Sequence, residues 1–148
     1  QLKDIELPKI NKSFDDLAAG QDLRVVVTGV GGSGVTTISR VLAEAAKNMG
    51  GRSDLDFKFV DQKGLAQRNG NVTAHLSIFK KGKSYGAVTP EATADLLLSP
   101  DLLDGSAHLR FLGKDGECLI DNEFQTPLSI ILNKEEEEKN ISRKKSKS

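Results

Sequence analysis

Residues 28–37 read TGVGGSGVTT and follow the apolar run Val25-Val26-Val27. Gly29, Gly31 and Gly34 stand at the spacing G-x-G-x-x-G, which lets a backbone turn tightly and approach a pyrophosphate. In that pattern Gly29 serves the tight turn, Gly31 and Gly32 the close approach, and Gly34 the packing of helix on strand. Gly29, Gly34 and Thr36 also fit G-x-x-x-x-G-x-T, a P-loop with Val35 at the lysine position. That lysine neutralises β- and γ-phosphate charge, and a valine brings none, so nucleotide hydrolysis is not expected here. The dinucleotide pattern further needs an acid at the end of the next strand. Asp61 follows Phe57–Val60 but comes later than the usual offset of about 20 residues, and Asp54 and Asp56 precede the apolar run. Two readings therefore stand side by side: a phosphate site, or a glycine turn that only lets protein layers approach. In either, Gly29, Gly31, Gly32, Ser33 and Gly34 are the candidate contact residues, because a helix N-terminus offers unpaired N–H groups.

The rest of the chain carries little that makes or breaks bonds. Cys118 is the single cysteine, too few for an intrachain disulfide or an iron–sulfur cluster. His75 and His108 lie far apart and in no metal-binding spacing. No metal ligands and no catalytic residue are assigned.

The elements that must position the glycine turn follow from periodicity. Arg24–Thr28 is a β-branched run of the kind buried in a sheet. Val35, Ile38, Val41, Leu42, Ala45, Ala46 and Met49 fall on one helical stripe, ended by Gly50-Gly51. Phe57–Val60 predicts a second strand that completes a right-handed βαβ crossover. Asp61–Asn71 reads as a polar loop, and Val72–Ile78 alternates as a half-buried strand. A turn at Lys80–Lys83, a strand at Ala94–Leu98, a helix near Leu102–Leu109, a turn at Gly113–Gly116 and a strand at Glu117–Asp121 complete the pattern. The expected fold is α/β, a Rossmann-like three-layer open sheet, mostly parallel, with helices on both faces.

Residues 1–20 read as a linker with a short helical turn capped by Ser13, and residues 21–132 as the domain, closed by the apolar Pro127–Leu132. Residues 133–148, an acidic block followed by a basic one, are expected to remain a solvated tail. The 148 residues suffice for one core, and the 21 basic and 21 acidic side chains balance, which gives nucleic acid no general attraction. No run approaches the roughly 20 apolar residues that span a bilayer, and QLKDIELPKI has no signal-peptide core, so a cytoplasmic location is expected. The start at Gln1 points to a piece of a longer chain.

Three blocks in order, TGVGGSGVTTISRVLAEAAK, DQKGLAQRNG and the strand NVTAHLSI, resemble the gamma-type domain of 2-oxoacid:ferredoxin oxidoreductases. The likeness is greatest to fused enzymes of the indolepyruvate type. ADLLLSPDLLDG, Glu117–Asn122 and Thr126-Pro127 extend it over about residues 22–132. Ser33, Asn69 and Ser99 depart from the residues common in the family. The resemblance implies a component of an enzyme that decarboxylates a 2-oxoacid oxidatively to an acyl-CoA and passes electrons to ferredoxin. It implies that thiamine diphosphate, magnesium and iron–sulfur clusters sit in other domains or subunits of a homo-oligomeric parent. This part would then serve assembly and cover the active site.

In the second loop, Lys63 and Arg68 can hold a phosphate or carboxylate, and Gln67 and Asn69 offer amides. If the sheet is parallel, both loops leave at the carboxyl ends of neighbouring strands and face a thiamine-bearing domain or coenzyme A. His75 fits an ordinary hydrogen-bonded strand histidine. A stand-alone NAD- or nucleotide-binding module is the competing reading. Thermal denaturation with NAD, NADP, ATP and coenzyme A separates the two, because a ligand of the folded state raises apparent stability. NAD and ATP are expected to leave the midpoint unchanged; stabilisation by NAD alone would favour the competing module.

Overall fold

The computed structural model describes residues 14–50, 54–63, 70–83 and 85–122. In chain order these form α1 (Phe14–Ala18), β1 (Leu23–Val30), α2 (Val35–Gly50), β2 (Leu55–Lys63), β3 (Asn71–Lys80), β4 (Ala94–Ser99), α3 (Leu102–His108), a 3₁₀ turn (Leu109–Phe111) and β5 (Leu112–Ile120). The Ser13 cap, Gly51, most of the second loop (64–69), Pro127–Leu132 and the charged segment 133–148 lie outside the described residues.

The five strands are ordered β2-β3-β1-β4-β5. β1 runs parallel to β4 and β4 to β5, whereas β3 is antiparallel to both β1 and β2. The expectation of a mostly parallel sheet is thus met only in part: the sheet is mixed. All strands but β3 share a direction, yet only two of the four pairings are parallel. The cause is connection length. Residues 64–70 alone separate β2 from β3, fewer than the dozen or so that a parallel crossover needs, so β3 returns beside β2. The second strand consequently does not pair with the first; β3 lies between them.

Helices cover both faces, as expected. α2 packs on β1, β2 and β3, and α3 packs on β1, β4 and β5. On the α2 side, Leu17 of α1, Val35 and Ala46 of α2, and Val25, Val27, Val72, Ala74, Leu76 and Ile78 of the sheet form one core. On the other side Val26, Ala94, Leu97 and Phe111 form a second. β3 is therefore not half-buried. Residues 72–79 are all buried, including Thr73, His75 and Ser77, because both of its faces are covered.

Two further expectations shift. Ile38 and Val41 belong to the helical stripe but remain exposed, since α2 lies over β1–β3 and stops short of β4–β5. Ile38 instead lines an apolar groove with Leu98, Pro100 and Leu119. Gly113 and Gly116, read as a turn, lie inside β5. A Cβ on Gly116 would stand 2.5 Å from the Ala94 carbonyl oxygen, and the β4–β5 register slips there. Glycine makes room for that irregularity without ending the strand.

Leu97, at 0% exposure in a central strand, is expected to cost about 2–5 kcal/mol when replaced by alanine. Val41→Ala, at a side chain 64% exposed, is expected to cost less than about 0.5 kcal/mol. Chemical denaturation of the two variants checks the contrast.

Candidate functional site

β1 ends where β3 begins, with Val30 opposite Asn71, and β2 ends one pair further on, with Lys63 opposite Val72. Because β1 and β2 share a direction and β3 opposes them, the glycine loop and both roots of the second loop emerge at one edge. The two loops do not follow neighbouring strands, but a backbone bond joins them directly. The Gly31 N–H donates to the Gly70 carbonyl at 2.9 Å.

Within the glycine loop the turn is closed on Val30, whose carbonyl accepts from the Ser33 N–H at 3.0 Å and the Ser33 hydroxyl at 2.6 Å. The Gly34 carbonyl then accepts from Thr37 at 2.9 Å and Ile38 at 3.0 Å, which opens α2. Gly32 and Gly34 adopt φ of +97° and +90°, a left-handed region costly for other residues. A Cβ on either would meet no atom within 4 Å, so open space lies beside them. Gly29 is different. A Cβ there would lie 2.7 Å from a Val35 methyl and 3.3 Å from Pro100 Cδ. The roles expected for the first and last glycines are therefore exchanged: Gly29 lets α2 approach the strand, and Gly34 makes the turn.

The remaining candidate residues divide. Lys63 is exposed on the end of β2 and lies 3.9 Å from the Asp61 carboxylate, a loose pair that leaves its ammonium facing solvent. Gln67, Arg68 and Asn69 lie outside the described residues. Asp61 stands one strand further from β1 than a ribose-binding acid requires, because β3 intervenes. That geometry weighs against the dinucleotide reading.

Sequence reasoning missed a polar cluster on the opposite side of the same edge. Asp104 of α3 accepts hydrogen bonds from the Thr28 hydroxyl and from the Asn71 amide. The Thr28 and Thr73 hydroxyls are 3.3 Å apart, and Thr73 Oγ1 is 3.3 Å from His108 Nε2. His108 Nδ1 is 2.8 Å from the Asp104 carbonyl. The available signal was the run of polar residues at alternate positions of β3, which also fits a solvated face.

His75 lies deeper in the same layer, 1% exposed. Its Nδ1 accepts from the Thr89 N–H at 3.3 Å, and its ring meets Phe111 edge-on with centroids 5.4 Å apart. Nε2 has no partner among the described residues. Burial, and secondarily the charge of nearby His108, hold its pKa below the ordinary histidine value. This is a neutral structural ring rather than a base open to substrate.

Among the described residues no group of three or more His, Cys, Asp or Glu side chains converges on a metal position. The described edge offers backbone groups, glycine openings and a few polar side chains. The fold is that of a Rossmann-like α/β domain, with the glycine loop and both roots of the second loop at one edge.

The chain matches the Pyruvate ferredoxin/flavodoxin oxidoreductase (POR) family over residues 24–145 and belongs to that family. Among curated relatives, the indolepyruvate oxidoreductase subunit IorB of Archaeoglobus fulgidus is 31% identical over 108 residues, covering 73% of this chain and 50% of the relative. Its counterpart in Methanothermobacter thermautotrophicus is 27% identical over 107 residues, covering 72% and 51%. The chain thus spans about half the length of these relatives. Among solved structures, the pyruvate oxidoreductase subunit PORC of Thermotoga maritima aligns with a TM-score of 0.52 at 24% identity, covering 72% of this chain and 52% of that one. The 2-oxoglutarate:ferredoxin oxidoreductase of Magnetococcus marinus, solved with 2-oxoglutarate, coenzyme A and succinyl-CoA, aligns with a TM-score of 0.55 at 16% identity, covering 72% and 18%. At these identities the two structures speak to the fold. The resemblance drawn from the glycine loop, the second loop and β3 is borne out.

The lowered pKa of His75 gives a pH dependence of defined sign. The unfolded chain, with its histidine near 6.5, takes up the proton before the folded chain does. The contribution of neutral His75 is complete above that value and is lost as pH falls from it toward the lower folded pKa. Between about pH 7.5 and 5.5 the wild-type unfolding free energy is expected to fall more than that of His75→Gln, measured by denaturant titration.

Proposed function

We propose that this chain is the gamma-type part of a thiamine-diphosphate-dependent 2-oxoacid:ferredoxin oxidoreductase. Its substrate is an aryl pyruvate such as indolepyruvate, decarboxylated oxidatively to the acyl-CoA with electrons delivered to ferredoxin. The observation that carries the reading is the match to relatives named as indolepyruvate oxidoreductase subunits, at 27–31% identity over two thirds or more of this chain.

Iron–sulfur clusters do not fit the residues of this chain. An iron–sulfur cluster takes several thiolates, and Cys118 is the single cysteine of the sequence, exposed on β5. On this reading thiamine diphosphate, magnesium and the clusters belong to partner domains or subunits, as the family resemblance implies, and no step of the reaction is assigned to this chain. Its own contribution is the edge formed by the glycine loop and the second loop. The open faces of Gly32 and Gly34 and the ammonium of Lys63 suit a partner's backbone or the phosphates of coenzyme A; Ser33 and, by their chemistry in the sequence, Gln67, Arg68 and Asn69 are the further contact residues of this reading. On the same reading the parent is a homo-oligomer of the cytoplasm. No helix among the described residues is long and apolar enough to cross a membrane.

The test is purification of the tagged protein with its partners from its native source, followed by an assay of ferredoxin reduction. Reduction that requires both indolepyruvate and coenzyme A is expected. Gly32→Arg, which projects a large cation into the open space, is expected to lower that rate by about tenfold or more while costing the fold only about 1 kcal/mol of backbone strain. A wild-type complex that reduces NAD in place of ferredoxin, or partners fully active after this chain is removed, contradicts the proposal.

A further inference from the structure

Asp104 sits on α3, 76 residues from Thr28 and 33 from Asn71, yet its carboxylate is bonded to both. Thr28 is the residue before Gly29, and Asn71 is the residue after Gly70. One oxygen of Asp104 therefore holds the root of the glycine loop, and the other holds the root of the second loop. The carboxylate is 9% exposed, and its own backbone N–H is capped at 2.8 Å by the side chain of Asp101, itself buried. His108 braces the arrangement, reaching the Asp104 carbonyl with one ring nitrogen and Thr73 with the other.

A buried carboxylate is costly, and apolar side chains of like size often stabilise a fold as well or better. Packing alone gives no reason for an acid here. What a carboxylate adds is a pair of acceptor oxygens in rigid geometry, which fixes the two donors relative to each other. The Gly31–Gly70 bond lies beyond both donors, three residues after Thr28 and one before Asn71. Asn71, exposed to solvent, is oriented by the same clamp.

We infer that Asp104 is the positioning residue of the contact edge: it clamps Thr28 and Asn71 so that the roots of the two loops, with the Gly31–Gly70 bond between them, are held in one preformed arrangement. The inference rests on the proposed role of that edge, and deepens it by naming what holds the edge in shape.

Amide hydrogen exchange of the free protein tests the clamp without any partner. Asn71→Ala removes an exposed donor and is expected to speed exchange of the Gly31 amide by about tenfold or more, while the Val26 and Leu76 amides of the central strands keep wild-type rates. Asp104→Ala is expected to speed Gly31 at least as much, and the double variant to add little to either, as for residues of one network. An unchanged Gly31 rate in Asn71→Ala overturns the inference. So does a rise at Gly31 matched at Val26 and Leu76, which marks general destabilisation. Since Asn71 is exposed, that variant keeps the test valid if Asp104→Ala does not fold. A Gly31 response without partner-dependent activity counts against the proposed function and leaves the clamp standing. Intact activity with no Gly31 response overturns the role of Asp104 alone.

Discussion

β3 enters the sheet between β1 and β2 in the opposite direction, and the rest of the architecture follows from that insertion. It carries eight consecutive buried residues, so both faces must be satisfied at once. Its aliphatic side chains meet α2, while Thr73, His75 and Ser77 fall on the side of α3. Buried hydroxyl and imidazole groups need partners: Thr28 and His108 are supplied to Thr73, and Thr89 to His75. The same insertion sets the start of β3 beside the glycine loop, where Gly31 bonds to Gly70. It also moves Asp61 a strand away from where a dinucleotide ribose would need it.

The strand, glycine turn and helix were legible because each carries its own local signal. A β-branched run, glycines in a fixed order and a 3.6-residue stripe all agree over residues 24–50. The direction of β3 was not legible in its composition, since an alternating pattern is the same read either way. Only the short stretch after Lys63 held the information. Gly113 and Gly116 illustrate a second limit: glycine marks a backbone that must turn or one that must be approached closely, and the Ala94 carbonyl decides between them. Asp104 illustrates a third. In SPDLLDG an acid near a helix start reads as a favourable charge at its N-terminus, and nothing local names Thr28 or Asn71 as its partners.

Membership of the POR family and the geometry of the edge bear on each other. The sequence has one cysteine, and no metal ligands converge among its described residues. The polar groups described at this edge lie where three strand ends meet, and Asp104, from the α3 side of the sheet, bonds Thr28 and Asn71 there. Preformed edges of this kind bind with less ordering cost than loops that must first be fixed.

The central claim is that this edge is where the chain meets the rest of its enzyme. Hydrogen exchange compared between the free protein and the assembled complex addresses it most directly. The account predicts that protection on assembly concentrates in residues 28–37 and 61–71, with the opposite end of the sheet at Lys80–Lys83 unchanged. Protection at Lys80–Lys83 with the glycine loop exchanging as in the free chain would contradict it.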